Sequence, residues 1–196
     1  MHVKLSRRKR WMVGAWLTWE RLFHTWFGVK PIDSASPLFY YRVCKYKGQD
    51  IVFPDHERIV SGDKVVELHF NNRMLVGLGV ELPSIVQLAA RLIHDTKHIL
   101  PVIAERMETE PEFAGAKGVY GITMIHRGTQ RLGFTVLDLP AGMFRMMTQI
   151  YLTALLYVIH PEGKERSQTS KVRFEPKLLA ISAKQLMQQK NEHVRR

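Results

Sequence analysis

The chain has 196 residues and a mass of 22.8 kDa, enough for one domain with at most short appendages. Hydrophobic residues at 45% and charged residues at 24% exclude disordered, collagen-like and coiled-coil classes. A net charge of +11 points to an anionic partner, and the single cysteine, Cys44, excludes an internal disulfide framework and a cysteine-based zinc site.

In chain order, the basic run Ser6-Arg7-Arg8-Lys9-Arg10 precedes the apolar run Trp11 to Trp19. This superficially resembles a signal peptide or a twin-arginine signal, but the apolar stretch is short and no small-residue cleavage site follows it. It is also too short to span a bilayer. The spacing of Met12, Ala15, Trp16, Trp19, Leu22, Phe23, Trp26 and Phe27 predicts a retained helix over 8–27, ended by Gly28 and Pro31. Two readings stand for it. Its aromatic face packs on the domain core, or it lies in a membrane interface with Arg7, Arg8, Lys9 and Arg10 on anionic lipid.

Residues 38–70 predict a meander of small antiparallel strands: Leu38 to Tyr46, Ile51 to Phe53, Arg58 to Val60, and Lys64 to Phe70. Strand alternation places Glu67 and His69 on one face. A helix follows over 84–108, started by Pro83, with Pro101 expected to kink or restart it. Val119 to His126 and Arg131 to Leu137 read as a hairpin across Arg127-Gly128-Thr129-Gln130. Residues 141–159 predict a helix apolar nearly all round, read as central and buried. Pro176 to Ser182 reads as a short strand, with Ser182 capping a final helix.

The positive charge is not spread evenly. Residues 1–30 carry net +6 and 164–196 carry net +6, while 31–163 carry net −1. Basic ends on a neutral body favour adhesion to an anionic surface over a nucleic-acid enzyme, and no nucleic-acid motif is present.

Phosphate loops, nucleophile elbows and His-Glu-x-x-His motifs are all missing from the sequence. Of nine histidines only His94 and His98 have i,i+4 spacing, and two ligands do not make a metal site, so no metal or cofactor is expected. The candidate catalytic cluster is Asp63, Glu67, His69 and Asn72, which would converge at a strand end. A carboxylate orienting an imidazole is the raw material of general acid–base chemistry. The competing reading has Asp63 in a turn and Glu67–His69 as a polar pair facing solvent. Arg127 and Arg131, with His126, bracket the predicted hairpin tip and form a candidate anion site. Cys44 reads as a small buried side chain.

Several motifs in fixed order carry a family resemblance: Pro37-Leu38-Phe39, Tyr46-x-Gly48, Gly62-Asp63-x-Val65-x-Glu67-Leu68-His69-x-x-Asn72, Arg131-Leu132-Gly133-Phe134, Tyr157-x-x-His160-Pro161-x-Gly163 and Pro176-x-x-Leu179-x-Ile181-Ser182. Over about 37–187 the chain resembles the YkoP-like family, a small bacterial domain found alone or behind polysaccharide deacetylase domains. The resemblance implies an uncharacterised role at the bacterial cell envelope, with a link to spore-forming lineages, and supplies no catalytic residue. Deacetylase activity does not transfer, because the metal motif of that enzyme is missing from this sequence.

The resulting expectation is an α+β protein, a small antiparallel sheet of two meander or hairpin segments covered by three or four helices. Its organisation is a basic Trp-rich helix at 1–30, one domain at 31–187 and a basic tail at 188–196. The leading functional expectation is a non-catalytic accessory protein, cytoplasmic and peripheral at the membrane, bound to an anionic membrane surface or acidic envelope polymer. The first alternative is an enzyme acting on an envelope glycan or lipid. Nucleic-acid binding is a disfavoured second, and the oligomeric state stays open.

Overall fold

The computed structural model describes residues 28–33, 38–82, 84–159 and 175–194. The helix predicted over 8–27 lies outside them, as does Pro83. The strands are β1 (Lys30–Pro31), β2 (Phe39–Lys45), β3 (Ile51–Val52), β4 (Arg58–Ile59), β5 (Lys64–Phe70), β6 (Gly118–Thr123), β7 (Thr135–Asp138) and β8 (Lys177–Ser182). The helices are α1 (Asn72–Glu81), α2 (Ile85–Thr109), α3 (Met143–Ile159) and α4 (Ala183–Val194), with one 3-10 turn at Thr129–Leu132.

The protein is mixed α/β, and its sheet is larger than the sequence suggested. Six strands run in the order β1-β2-β5-β6-β8-β7, and β3 and β4 form a separate two-stranded sheet. The meander is therefore interrupted. β2 pairs directly with β5 along its whole length, from Phe39↔Phe70 to Lys45↔Lys64, and the β3–β4 ribbon is an excursion between them. The sheet is also not purely antiparallel, because β5 and β6 are parallel. A parallel pair needs a long crossover, and α1 and α2 provide it.

The predicted hairpin between β6 and β7 does not form. β8 lies between them, antiparallel to both. The connection is too bulky for a tight turn: Gly128 and Gly133, at φ +89° and +83°, bracket a full 3-10 turn and hold the strands one strand-width apart.

α1 was not foreseen in the sequence. Asn71 starts it, its side-chain oxygen accepting from Arg73 N at 3.0 Å and Met74 N at 3.3 Å. α2 neither restarts nor breaks at Pro101; it is one helix over 25 residues, held by buried Ile99, Leu100, Ile103 and Ala104 around the proline. The Ser182 cap is as predicted, its hydroxyl accepting from Gln185 N at 3.0 Å. α4 then runs to Val194, so most of the predicted tail is helical.

The two faces of the sheet bury different cores. Val66, Val119, Leu179 and Ile181 meet Leu88, Leu92, Ile103 and Leu186 from the helices. On the opposite face Val65 and Ala180 pack under Tyr46, Ile51, Phe53 and Ile59, around the β3–β4 ribbon. That ribbon is tied down by Asp55, which accepts a hydrogen bond from Ser182.

α3 is not the buried central helix that its composition suggested. Leu155, Leu156 and Ile159 at its C-terminal end are buried, where α1 approaches closely at Gly79. Its N-terminal half projects: Met143 is 77% exposed and Phe144 62%, with Met146, Met147, Ile150 and Tyr151 also exposed. A hydropathy pattern reports apolarity and not the availability of a covering partner, so composition alone could not distinguish the two halves.

Candidate functional site

The ribbon covers only part of its face of the sheet. Beside it, strand alternation and the β2–β5 register bring Arg42, Cys44, Glu67 and His69 together, with Tyr120 from the neighbouring β6. Arg42 lies directly across from Glu67 and bonds it through Nε at 3.0 Å and through a second guanidinium nitrogen. Cys44 Sγ lies 3.7 Å from Glu67 Oε2. His69 Nε2 is 3.6 Å from Glu67 Oε1, an electrostatic contact beyond hydrogen-bond reach.

Glu67 is the hub. Burial alone pushes its carboxyl up, but His69 and then Arg42 overcome this and hold it at about 2. Burial and the Glu67 charge push the Cys44 thiol up, and the same two causes push the Tyr120 phenol up. Cys44 therefore remains a thiol at neutral pH, the opposite of what a cysteine nucleophile needs. The cluster holds one fixed ion pair and one imidazole beside it.

The four predicted catalytic residues do not converge. Glu67 and His69 share a face as expected. Asp63 sits six residues before His69, about 20 Å away along an extended strand, and its carboxylate accepts from Val60 N at 2.9 Å in the preceding turn. Asn72 starts α1 and its amide donates to Tyr151 Oη at 3.1 Å. Arg42 was missed because only the register of β2 against β5 places it opposite Glu67. Arg127 and Arg131 are exposed, beside and within the 3-10 turn. Arg7, Arg8, Lys9 and Arg10 lie outside the described residues. His94 and His98 face each other with Nε2 atoms 3.2 Å apart, and among the described residues no group of three or more metal-ligating side chains forms.

A cavity of about 60 Å³ adjoins His69. It owes its existence to the sheet. β5 and β6 pair only at Val66↔Val119 and Glu67↔Tyr120. Each strand then continues, β5 against β2 as far as Phe70 and β6 against β8 as far as Thr123. Beyond that pair Leu68, Phe70 and Gly121 line the cavity from the sheet, with Leu92, Ile93 and Thr96 of α2 over them and Thr129 and Phe134 beside them.

The exposed half of α3 lies at this same end of the sheet. Tyr151 is bonded to Asn72, two residues past β5. Arg145 contacts Glu175 at 3.9 Å, and Glu175 contacts Lys177, the partner of Thr123 at the end of β6.

A mixed α/β domain whose six-stranded sheet carries a Glu67-centred cluster is the class of protein that the structure defines. The chain matches the family model described as YkoP domain over residues 9–190, and so belongs to that family. The match begins well upstream of residue 37, where the motif resemblance started. A curated relative, the Uncharacterized protein YkoP of Bacillus subtilis (strain 168), is 24% identical over 151 residues, covering 76% of this chain and 82% of the relative. No solved structure matches.

Proposed function

We propose that this protein is a non-catalytic accessory protein that docks peripherally on an anionic membrane surface, at the bacterial cell envelope, with the N-terminal half of α3 as its insertion element. The observation that carries this reading is the projecting run of Met143, Phe144, Met146, Met147, Ile150 and Tyr151 on a chain of net charge +11. Contiguous exposed apolar side chains of this size mark interaction surfaces. Apolar groups inserted at the headgroup layer, with Arg and Lys around them, bind anionic lipid cooperatively. Arg145 lies on the helix itself, and the exposed Arg127 and Arg73 belong to the same end of the sheet. No described helix is long and apolar enough to cross a membrane, so the helix would lie in the interface.

The test is flotation of the full chain with vesicles of phosphatidylcholine alone and of phosphatidylcholine mixed with phosphatidylglycerol. Binding is expected only to the mixed vesicles and should fall with added salt. The double variant Met143→Glu, Phe144→Glu should float at least about tenfold less well, while its far-UV spectrum is unchanged. Equal binding to both vesicles, or an unaffected double variant, ends this reading.

The enzymatic alternative, action on an envelope glycan or lipid, is favoured by one observation: Glu67 and His69 lie together, and His69 is among the residues around a cavity. It retains two of its four residues. Loss of turnover in His69→Ala on a glycan or lipid substrate, with the Asp63→Asn variant still active, is what it requires.

A further inference from the structure

We propose that His94 and His98 on α2 form a binding site for an imidazole-preferring divalent metal ion such as zinc, outside the Glu67 cluster and independent of the membrane reading. Spacing alone does not make such a site, because any two residues one turn apart share a helix face. The structure adds that the two rings converge. Their Nε2 atoms stand 3.2 Å apart, with ring centroids at 4.5 Å and planes at 68° to each other. Two imidazole nitrogens on one zinc ion each lie about 2.0–2.1 Å from it. At that bond length, nitrogens 3.2 Å apart subtend about 100–106° at the metal, close to the tetrahedral angle.

The helix holds the pair, and its surroundings select the metal. Leu92, Ile99 and Leu100 are buried on the core side of the same two turns, so the backbone that carries the histidines is fixed. His94 and His98 themselves are exposed. An ion therefore reaches them from solvent, and small rotations of the rings suffice to aim both lone pairs at it. Asp95, the one carboxylate between them in the sequence, is bonded by Arg91 Nε at 2.8 and 3.0 Å. The donor set is thus imidazole with the adjacent carboxylate already engaged, which favours zinc, copper and nickel over magnesium and calcium. Two protein ligands leave the other positions to water or to a donor from a second molecule, the open coordination of an exchangeable site rather than a closed structural one.

The experiment is a titration of the untagged full chain with Zn²⁺, and separately with Mg²⁺, in lipid-free buffer, followed through amide and imidazole NMR signals. With Zn²⁺, saturable shifts are expected at both imidazoles and at the amides of residues 91–101, ahead of any at the other histidines. Mg²⁺ should leave these signals in place. His94→Ala and His98→Ala should each weaken Zn²⁺ binding here at least about tenfold. Alanine at an exposed helical position favours the helix, and unchanged amide dispersion outside α2 will show that both variants fold. Saturating Zn²⁺ should also raise the melting temperature of the parent more than that of either variant. Shifts at other histidines with His94 and His98 unmoved, an equal response to Mg²⁺, or Zn²⁺ binding unaltered in both folded variants overturns the proposal. Because no vesicle is present, failure here and failure of membrane flotation are separate results.

Discussion

Glu67 sets the chemistry of its neighbourhood through charge rather than reactivity. Its folded carboxyl titrates at about 2 against an ordinary 4.5. A depressed carboxylate contributes stability that is fully present above about pH 4.5 and is lost as pH falls toward 2. The shift corresponds to at most about 3 kcal/mol. At neutral pH, Glu67→Gln should cost about 2 kcal/mol, since it removes the carboxylate charge that faces the half-buried Arg42 guanidinium. The gap between variant and parent should close on acidification, which denaturant midpoints measured across that window would show; a constant gap would contradict the assignment. Cys44 supplies a second residue-scale prediction. Its raised thiol should react with iodoacetamide at neutral pH more slowly in the folded protein than in the unfolded one. Equal rates would mean that the thiol is not held beside Glu67.

At the scale of elements, close approaches decide the architecture. A Cβ on Gly79 would stand 2.3 Å from the carbonyl oxygen of Ile159, so Gly79→Ala must push α3 off α1. A cost of about 1–3 kcal/mol is expected in thermal melts, together with weaker vesicle binding because α3 loses its seat. Ser182→Ala removes both the cap of α4 and the bond to Asp55, and should cost at least about 1 kcal/mol. The Ser182 cap was legible beforehand because a cap is a local matter of a hydroxyl and the next turn. For the same reason the spans of β2, β5, β8 and α3 were legible. α1 was not, since Gly77 and Gly79 dilute its periodicity and the Asn71 cap is a short signal. The pairing order was not legible either, because strand alternation says which residues share a face and nothing about which strand lies alongside. Glu67 and His69 could therefore be paired in advance, while Arg42 could not.

At the scale of the whole molecule, folding redistributes the charge that dominates the composition. Part of the C-terminal excess is already paired with the neutral body: Lys177 with Asp138, Lys184 with Glu57 at 3.6 Å, and Lys190 with Glu108 at 2.5 Å. These are surface pairs of small individual worth. Arg127 and Arg73, with Arg145 that also contacts Glu175, lie beside the projecting end of α3, and on the proposed membrane reading Arg127→Glu is expected to reduce flotation on mixed vesicles without altering the melting temperature. An unchanged flotation would move the electrostatic contribution elsewhere on the chain.

The place of β8 has a consequence for how the protein is made. The eighth strand is sixth in sequence to enter the main sheet, yet it sits inside it, between two strands synthesised earlier. Until residue 182 has left the ribosome, β6 and β7 each present a bare edge, and the hydrophobic stripe of β8 has nothing to cover. Nascent chains halted before residue 177 should therefore be chaperone-dependent and prone to edge-to-edge association. Completion of the main sheet becomes a late event, because its other five strands are all synthesised before β8.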